Sequence, residues 1–306
     1  GGDGPGVLVL CHLDTVHPRG TLAQLPIRVE GDRAYGPGIY DMKGGAYLAF
    51  AAYRAIAASG KPTPLPLRLV YTSDEEVGSP TSRDLIERLA ANARYVLVTE
   101  PARDGGRIVT ARKGVGRYEI KAEGRPAHSG GRHMDGRSAI LEIARQVVAI
   151  EGMTDYGRGI TFNVGQIKGG TADNTVPQFC EATIDMRIKT MADAEEMDLR
   201  LKSMRPFGPD MRVEVTGHLN RPPYEKNAGV ERMLGHAQGL AREIGFELVE
   251  TASGGGSDGN FTAHKVPTLD GLGVDGAGAH TLVEHMLVSS LVPRLTLQRR
   301  LMETLM

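Results

Sequence analysis

Two adjacent glutamates, Glu75 and Glu76, follow a largely apolar segment at residues 65–70 and are the first candidates for chemistry. An apolar segment that ends in acids is typical of a buried strand whose carboxyl end holds a ligand. Neighbouring carboxylates repel each other more strongly when buried, so the pair needs either solvent or a cation. Adjacent side chains of a strand point to opposite faces, so we expect one glutamate to bind a metal ion and the other to act as a general base. An acidic surface turn is the alternative for this segment taken alone.

Candidate metal ligands also follow two other predicted strands. His12 and Asp14 come just after the apolar segment 7–10, and Glu100 follows the apolar segment 95–98. His12 and Asp14 would share a strand face, so Asp14 could hold the second ring nitrogen of His12 and fix the tautomer that binds a metal. A purely structural role is the alternative for His12. Because parallel strands end at one edge of a sheet, we expect the three strand ends to converge there.

Three further candidates lie in or beside glycine-rich segments. Asp41 lies in the glycine-rich segment 35–45, just before a predicted helix. It is either a helix N-cap or a carboxylate that bridges two cations at a turn. Gly255 belongs to a run of three glycines, where the backbone can approach a ligand closely. His280 follows a short predicted strand and several glycines near the end of the chain.

Hydrophobic periodicity divides the chain into two predicted domains. Residues 1–113 and 222–306 combine continuous apolar segments with helical patterns. They predict an α/β catalytic, metal-binding domain with a mostly parallel sheet and helices on both faces. Residues 114–221 contain strands that alternate apolar and polar side chains, as antiparallel strands with one solvated face do. With two helical patterns, this segment predicts an inserted α+β domain: a four-stranded antiparallel sheet with two helices on one face.

Charge and cysteine content bear on partners and compartment. The 36 basic and 37 acidic side chains nearly cancel, which argues against nucleic acid or an anionic membrane surface as a partner. No apolar stretch is long enough to cross a bilayer. Cys11 and Cys180 are predicted to be free, buried thiols, which favours a reducing, cytoplasmic compartment. The chain starts at Gly1 without a methionine or a signal peptide, so we expect its natural N-terminus to be missing.

Eight short motifs, in this order, resemble those of the M20 family of zinc-dependent peptidases and amide hydrolases, and of its carboxypeptidase members in particular. They are HLDTV at 12–16, YGPGIYDMKGG at 35–45, TSDEEVGS at 72–79, TEP at 99–101, AHSG at 127–130, DNTVP at 173–177, GGGSD at 254–258 and AHTLVE at 279–284. The motifs span nearly the whole chain, and together they are far more specific than any one of them alone.

The resemblance implies a centre of two Zn²⁺ ions, with Co²⁺ or Mn²⁺ as alternatives for nitrogen and oxygen ligands. It implies that Asp41 bridges the two ions. His12 and Glu100 would complete the ligands of one ion, and Glu76 and His280 those of the other. Three carboxylates against two divalent cations leave one net positive charge, which a bridging hydroxide would neutralise.

The same resemblance assigns Glu75 as the general base and makes Asp14 the catalytic residue that orients His12. It implies hydrolysis of the amide bond next to a C-terminal amino acid with a free carboxylate, as in a glutamate carboxypeptidase, on a small peptide or N-acyl amino acid. Deacylation of N-acyl amino acids, dipeptide cleavage and desuccinylation are alternatives on the same scaffold. A catalytically silent peptide-binding homologue is an alternative of another class.

Substrate contacts are also implied by the resemblance. Arg221 would grip the free carboxylate of the substrate, since a guanidinium binds a carboxylate through two hydrogen bonds. His128 and Asn174 would contact the substrate or the oxyanion. Arg107 stands where glutamate carboxypeptidases have a lysine, and Gly255 lies in the loop beside the ligand. A homodimer formed through residues 114–221 is expected from the resemblance as well.

Overall fold

The computed structural model describes residues 4–306. Its strands are β1 (Gly6–His12), β2 (Arg28–Glu30), β3 (Arg33–Tyr35), β4 (Leu67–Thr72), β5 (Ala93–Val98), β6 (Ile108–Arg112), β7 (Gly114–Glu123), β8 (Thr161–Gly169), β9 (Phe179–Ile188), β10 (Arg212–Arg221), β11 (Glu250–Ser253), β12 (Thr268–Leu269), β13 (Gly276–Ala277) and β14 (His285–Leu287). Its helices are α1 (Gly44–Ser59), α2 (Arg83–Ala90), α3 (Ala139–Glu151), α4 (Met191–Lys202), α5 (Ala228–Ile244) and α6 (Leu291–Thr304).

A parallel sheet with the strand order β12-β5-β1-β4 forms the centre of the first unit. Val7 and Val9 of β1 pack on one face of the sheet, in a core that also contains α1, α5 and α6. Leu8 and Leu10 pack on the opposite face, beside Ile86 of α2. The continuous apolar sequence of β1 follows from this burial on both faces, and the predicted α/β class is confirmed.

Helix α6 and two small sheets have no counterpart in the sequence prediction. Helix α6 buries Leu297 and Leu301 in the same core as α1 and α5. Strands β11 and β6 form a parallel pair, and β13, β14, β3 and β2 form an antiparallel sheet in that order. These strands are two to five residues long, too short for an alternating pattern to stand out in the sequence.

The second unit is built on an antiparallel sheet with the strand order β10-β7-β9-β8. Tyr118, Ile120 and Ala122 of β7 are buried in the unit's core, while the residues between them are partly or fully exposed. Helices α3 and α4 contribute to that core. Both helices begin at a side-chain cap, because the Ser138 hydroxyl accepts from Leu141 N–H and the Thr190 hydroxyl accepts from Asp193 N–H.

The chain divides into two compact units. One unit comprises Gly1–Arg112 and Tyr224–Met306, and the other Lys113–Pro223, against the predicted 114–221. Cys11 and Cys180 are buried, free thiols, as predicted. Among residues 4–306, no helix combines the length and the apolar character that crossing a membrane requires.

Candidate metal centre

His12 is the last residue of β1, and its ring is buried beside two carboxylates. Its Nε2 atom lies 3.5 Å from Asp41 Oδ1 and 3.6 Å from Glu100 Oε1. That nitrogen is buried and makes no hydrogen bond to any described residue. A buried ring nitrogen that faces two carboxylate oxygens without hydrogen bonding to either is in the position of a metal ligand.

Asp41 also faces a second histidine through its other oxygen. Asp41 Oδ2 lies 3.5 Å from His280 Nε2, and His280 Nε2 lies 3.3 Å from Glu76 Oε2. Glu76 Oε1 is buried and has no hydrogen-bond partner among the described residues. The Asp41 carboxylate therefore lies between two groups of candidate ligands. One oxygen faces the group of His12 and Glu100, and the other faces the group of His280 and Glu76.

The spacing and the donor atoms of these groups fit bound divalent cations. Ligands at about 2.0–2.1 Å from a tetrahedral Zn²⁺ are about 3.4 Å apart, close to the separations observed here. Burial, followed by the charge of Asp41, raises the pKa of both Glu100 and Glu76. A cation would favour the ionised form of both groups. Imidazole nitrogen and carboxylate oxygen suit Zn²⁺, and also Co²⁺ or Mn²⁺.

The metal-free charges are compensated by protons on the histidines. Burial opposes protonation of His12, but contacts with Asp14 and Asp41 outweigh it and raise the pKa of His12 to about 12. Burial likewise opposes ionisation of Asp41, yet His12 and His280 hold the pKa of Asp41 below its usual range. Metal ligands must be deprotonated, so a cation entering this cluster competes with the proton of His12.

Glu75 and Glu76 lie in a 3₁₀ turn at Glu75–Val77, so the predicted strand end is wrong. Strand β4 ends at Thr72, and Gly78 closes the turn with a φ of 98°. Successive side chains of a 3₁₀ turn are rotated by about 120°, so the two glutamates still diverge. A Glu75 oxygen lies within 4.8 Å of ligand atoms of His12 and Glu100, and a Glu76 oxygen equally close to His12 and Asp41.

Asp14 connects His12 to the glutamate turn. The Nδ1 atom of His12 is 3.1 Å from the main-chain oxygen of Asp14 and 3.4 Å from its carboxylate. The other carboxylate oxygen of Asp14 accepts a 3.0 Å hydrogen bond from Glu76 N–H. Burial opposes ionisation, but the contact with His12 and this hydrogen bond lower the pKa of Asp14 to about 2. Strand β1 ends at His12, so the expected shared strand face is wrong and the contact arises in the loop that follows.

Asp41 lies in a turn just before α1, and a glycine in that helix brings the turn close to β5. A Cβ atom at Gly45 would overlap the carbonyl oxygen of Thr99, which precedes Glu100. Only glycine therefore allows the start of α1 to pack against this segment, and the packing places Asp41 beside Glu100.

Sequence reasoning assigned no role to Glu284, which is buried beside the Asp41 turn. Its carboxylate accepts hydrogen bonds from the N–H groups of Gly38, Tyr40 and Asp41 at 2.8–3.0 Å. It also lies 2.7 Å from Nε2 of His17. Glu284 ends the AHTLVE motif, but its burial against a segment more than 240 residues away has no local signal in the sequence.

Sequence reasoning also overlooked Arg112, which forms a fully buried ion pair with Asp270. Arg112 Nε donates to Asp270 at 2.6 Å, and Nη1 donates to the carbonyl oxygen of Gly255 at 3.2 Å. The Ser257 hydroxyl donates to the same Asp270 oxygen at 2.6 Å. This network holds the glycine loop predicted to approach a ligand.

The predicted substrate-binding residues are distributed over both units. His128, Asn174 and Arg221 belong to the second unit, while Arg107 and Gly255 belong to the first. His128 is exposed and its Nδ1 accepts hydrogen bonds from Gly130 N–H and Gly131 N–H, so its Nε2 carries the proton. The loops of His128 and Asn174 are joined by a 3.0 Å hydrogen bond from Ser129 N–H to Asn174 O.

The other three predicted contacts differ in exposure. Arg221 ends β10 and is buried, with 3% of its surface exposed, whereas Arg107 and Gly255 are exposed. A buried guanidinium forms stronger charged hydrogen bonds than an exposed one, because water competes less for its donors.

Comparison with known proteins identifies the family of this chain. The family model "Peptidase family M20/M25/M40" matches residues 8–304. Carboxypeptidase G2 of Pseudomonas sp. (strain RS-16) is 31% identical over 310 residues, which cover 98% of this chain and 74% of that protein. Succinyl-diaminopimelate desuccinylase of Verminephrobacter eiseniae is 27% identical over 321 residues, which cover 96% of this chain and 77% of that protein.

Solved structures show the same fold. A tripeptidase from Staphylococcus aureus matches with a TM-score of 0.79 at 22% identity, over 98% of this chain and 81% of that chain. The resemblance expected from the sequence motifs is confirmed by the family match over almost the whole chain. This chain is therefore a hydrolytic enzyme that belongs to peptidase family M20/M25/M40.

Proposed function

We propose that this chain is a dinuclear metal-dependent carboxypeptidase, which hydrolyses the amide bond next to a C-terminal amino acid with a free carboxylate. The observation that carries the proposal is the carboxylate of Asp41, whose two oxygens each lie 3.5 Å from a different histidine. The 31% identity to a protein named carboxypeptidase G2 supports the substrate class. By analogy, the C-terminal amino acid is glutamate or a similar residue.

The proposed ligands form two groups that share Asp41. His12 and Glu100 would hold one ion, and His280 and Glu76 the other, with Zn²⁺ as the expected metal. Two divalent ions at such a centre polarise the amide carbonyl and lower the pKa of a bound water. Every ligand is a side chain already within 3.6 Å of a neighbour in its group, so little rearrangement accompanies metal uptake.

The proposed proton carrier is Glu75. Its carboxylate accepts a proton from the attacking water and passes it to the leaving amine nitrogen, which departs as a neutral amine. Its oxygen lies within 4.8 Å of ligand atoms of His12 and Glu100, so it borders that half of the centre. Asp14 holds His12 in the tautomer that exposes Nε2, since both of its close contacts are with Nδ1.

The second unit supplies the proposed substrate contacts. Arg221 pairs with the free carboxylate of the substrate, and the Nε2–H of His128 and the amide of Asn174 donate to the substrate or to the oxyanion. Arg107 and Gly255 of the first unit complete the proposed substrate contacts. We propose that residues 114–221 also act as a lid and form a homodimer, which sedimentation of the intact chain would test.

Desuccinylation or deacylation of N-acyl amino acids is the second candidate function. The specific observation in its favour is the 27% identical relative named as a desuccinylase, which covers 96% of this chain. The same centre serves either reaction, because each is hydrolysis of an amide. The two candidates differ in the part of the substrate that must carry a carboxylate.

A matched substrate panel separates the candidates. Each N-acyl-glutamate is compared with its C-terminal amide, and with N-succinyl and N-acetyl amino acids, on enzyme loaded with Zn²⁺. A carboxypeptidase loses most of its kcat/KM on the C-terminal amide, and Arg221→Gln removes that preference. Equal rates on the acid and its amide would contradict the carboxypeptidase assignment. Hydrolysis of N-succinyl substrates in preference to all others would favour the desuccinylase.

A further inference from the structure

Glu284 is a buried carboxylate that accepts hydrogen bonds from three main-chain N–H groups of one turn. Only 1% of its surface is exposed. Oε1 accepts from the N–H groups of Tyr40 and Asp41 at 3.0 Å, and Oε2 accepts from Gly38 N–H at 2.8 Å. The ring of His17 lies 2.7 Å from Oε2. Charge-assisted hydrogen bonds of this kind are about twice as strong as neutral ones, so the turn and the carboxylate hold each other in place.

Three N–H groups of the turn have the Glu284 carboxylate as their acceptor, and they point towards its two oxygens. Gly38, which donates one of these hydrogen bonds, has a φ of 71°. Without the Glu284 carboxylate, these N–H groups would be buried without a hydrogen-bond acceptor, and the turn would rearrange to reach water. Asp41 is itself one of the donors, so any rearrangement changes the direction of its side chain.

Glu284 also lies on the same loop as His280. Only three residues separate them, and β14 begins directly after Glu284 and pairs with β3. One side chain therefore connects the turn that carries Asp41 to the loop that carries His280. These two side chains are 3.5 Å apart at the centre but 239 positions apart in sequence (280 − 41).

We propose that Glu284 is a positioning residue for the metal centre. It sets the direction of the Asp41 carboxylate relative to His280, and thereby the affinity of the centre for its ions. The proposal rests on the metal centre of the proposed function. The Glu284 carboxylate hydrogen bonds to the main chain of the turn and to His17, and it acts through the main chain of Asp41.

The test uses the substitution Glu284→Gln and a matched control, Glu142→Gln. A glutamine keeps the size of the side chain but offers one N–H₂ group where Glu284 has an accepting oxygen, so at least one N–H of the turn loses its partner. Glu142 is also 1% exposed and accepts hydrogen bonds from the N–H groups of Phe207 and Gly208 at 2.8 and 2.9 Å, within the second unit. The control therefore removes an equivalent interaction far along the chain from the proposed ligands.

Two measurements distinguish positioning from general stabilisation. The first is Zn²⁺ affinity, from equilibrium dialysis against buffered free Zn²⁺ with metal analysis. We expect Glu284→Gln to weaken binding by about 10- to 100-fold, the range seen when a partner that orients a metal ligand is removed, and Glu142→Gln to leave it unchanged. The second is hydrogen exchange of metal-free protein, in which Glu284→Gln accelerates exchange at residues 38–41 and Glu142→Gln does not.

The outcomes separate this proposal from the proposed function. Wild-type Zn²⁺ affinity in Glu284→Gln, with two ions bound, would overturn the positioning role and leave the dinuclear centre intact. Absence of Zn²⁺ binding by the wild-type protein would overturn both. If Glu284→Gln does not fold, His17→Gln removes one contact of the same carboxylate. It should weaken Zn²⁺ binding several-fold, and an unchanged affinity would count against the proposal.

Discussion

Charged side chains are compensated in different ways at the edge of the parallel sheet and in the antiparallel unit. In the second unit, Arg158 pairs with Asp193 and Glu196 at the surface, and Arg187 binds Asp185 through two hydrogen bonds. At the end of β1, by contrast, a ring nitrogen and several carboxylate oxygens are buried together without hydrogen bonds.

We infer from this contrast that the second unit needs no ligand, whereas the cluster at the end of β1 is suited to bind one. Surface pairs in the second unit contribute little and depend on nothing outside the chain. The cluster around His12 and Asp41 concentrates acidic groups in a desolvated space, where a cation would replace the compensation that the histidine protons give. Four predictions test this contrast, in order of decreasing expected effect.

The largest expected effect concerns the proposed proton carrier. Glu75→Gln should lower turnover by about 10²- to 10⁴-fold while the metal content stays at the wild-type level, because a general base is lost and no ligand. Glu76→Gln is the matched control and should lose metal first. Rates on an N-acyl-glutamate, with metal analysis of each variant, provide the measurement. Equal loss of metal in both variants would show that Glu75 is a metal ligand and not the general base. Glu75 lies close enough to His12 and Glu100 for that role.

A buried pair and a surface pair should differ sharply in their contribution to stability. Arg112→Met leaves Asp270 buried without its partner, and we expect the free energy of unfolding to fall by about 3–5 kcal/mol. Arg158→Met in the second unit should lower it far less, since that guanidinium is 42% exposed and water screens its ion pairs. Urea denaturation of metal-free protein measures both. A similar small loss in the two variants would refute the contrast.

Metal addition should stabilise one unit and not the other. At a free Zn²⁺ concentration about 100 times the Kd, linkage predicts a gain of about 2.7 kcal/mol in the free energy of unfolding. Hydrogen exchange should slow at residues 67–78 of the first unit and stay unchanged at residues 179–188 of the second. Uniform slowing across both ranges would show that the ions do not act at the proposed centre.

The smallest effect is a pH dependence whose sign depends on the metal. The pKa of His12 is raised from 6.5 to about 12, so its contribution to the stability of the metal-free protein is complete below pH 6.5 and is lost as the pH rises. The raised pKa of Glu100 acts in the same direction. Between pH 6.5 and 8.5 the decline cannot exceed about 1.4 kcal/mol per pH unit for each of these groups.

Zn²⁺ should reverse this trend, because it displaces the proton of His12 and binds more tightly as the pH rises. Thermal unfolding with a chelator and with excess Zn²⁺, at three pH values in that range, gives both slopes. His12→Gln is the control and should reduce the metal-free decline, leaving the part that comes from Glu100. Slopes of the same sign with and without Zn²⁺ would contradict the assignment of His12 as a ligand.

Much of the fold was accessible from local patterns in the sequence. The apolar segment of β1, the stop of α1 at Gly60 and the alternating residues of β7 each reflect burial that repeats along the chain with a fixed period. The small sheet that contains β3 and β14 was not predictable in this way. Strands β3 and β14 are three residues long and pair across about 250 positions, so no period identifies them.

The candidate site shows the same division. The sequence alone determined which residue types follow the strands, and with them the proposed ligands His12, Asp41, Glu76, Glu100 and His280. Only the tertiary structure decided that Glu75 and Glu76 diverge in a turn and that Asp14 contacts His12 and Glu76 from a loop. It also decided that the Glu284 carboxylate accepts a hydrogen bond from Asp41 N–H. The physical reason is that strand and helix periods are local, whereas the direction and burial of a side chain depend on partners brought together only when the chain folds.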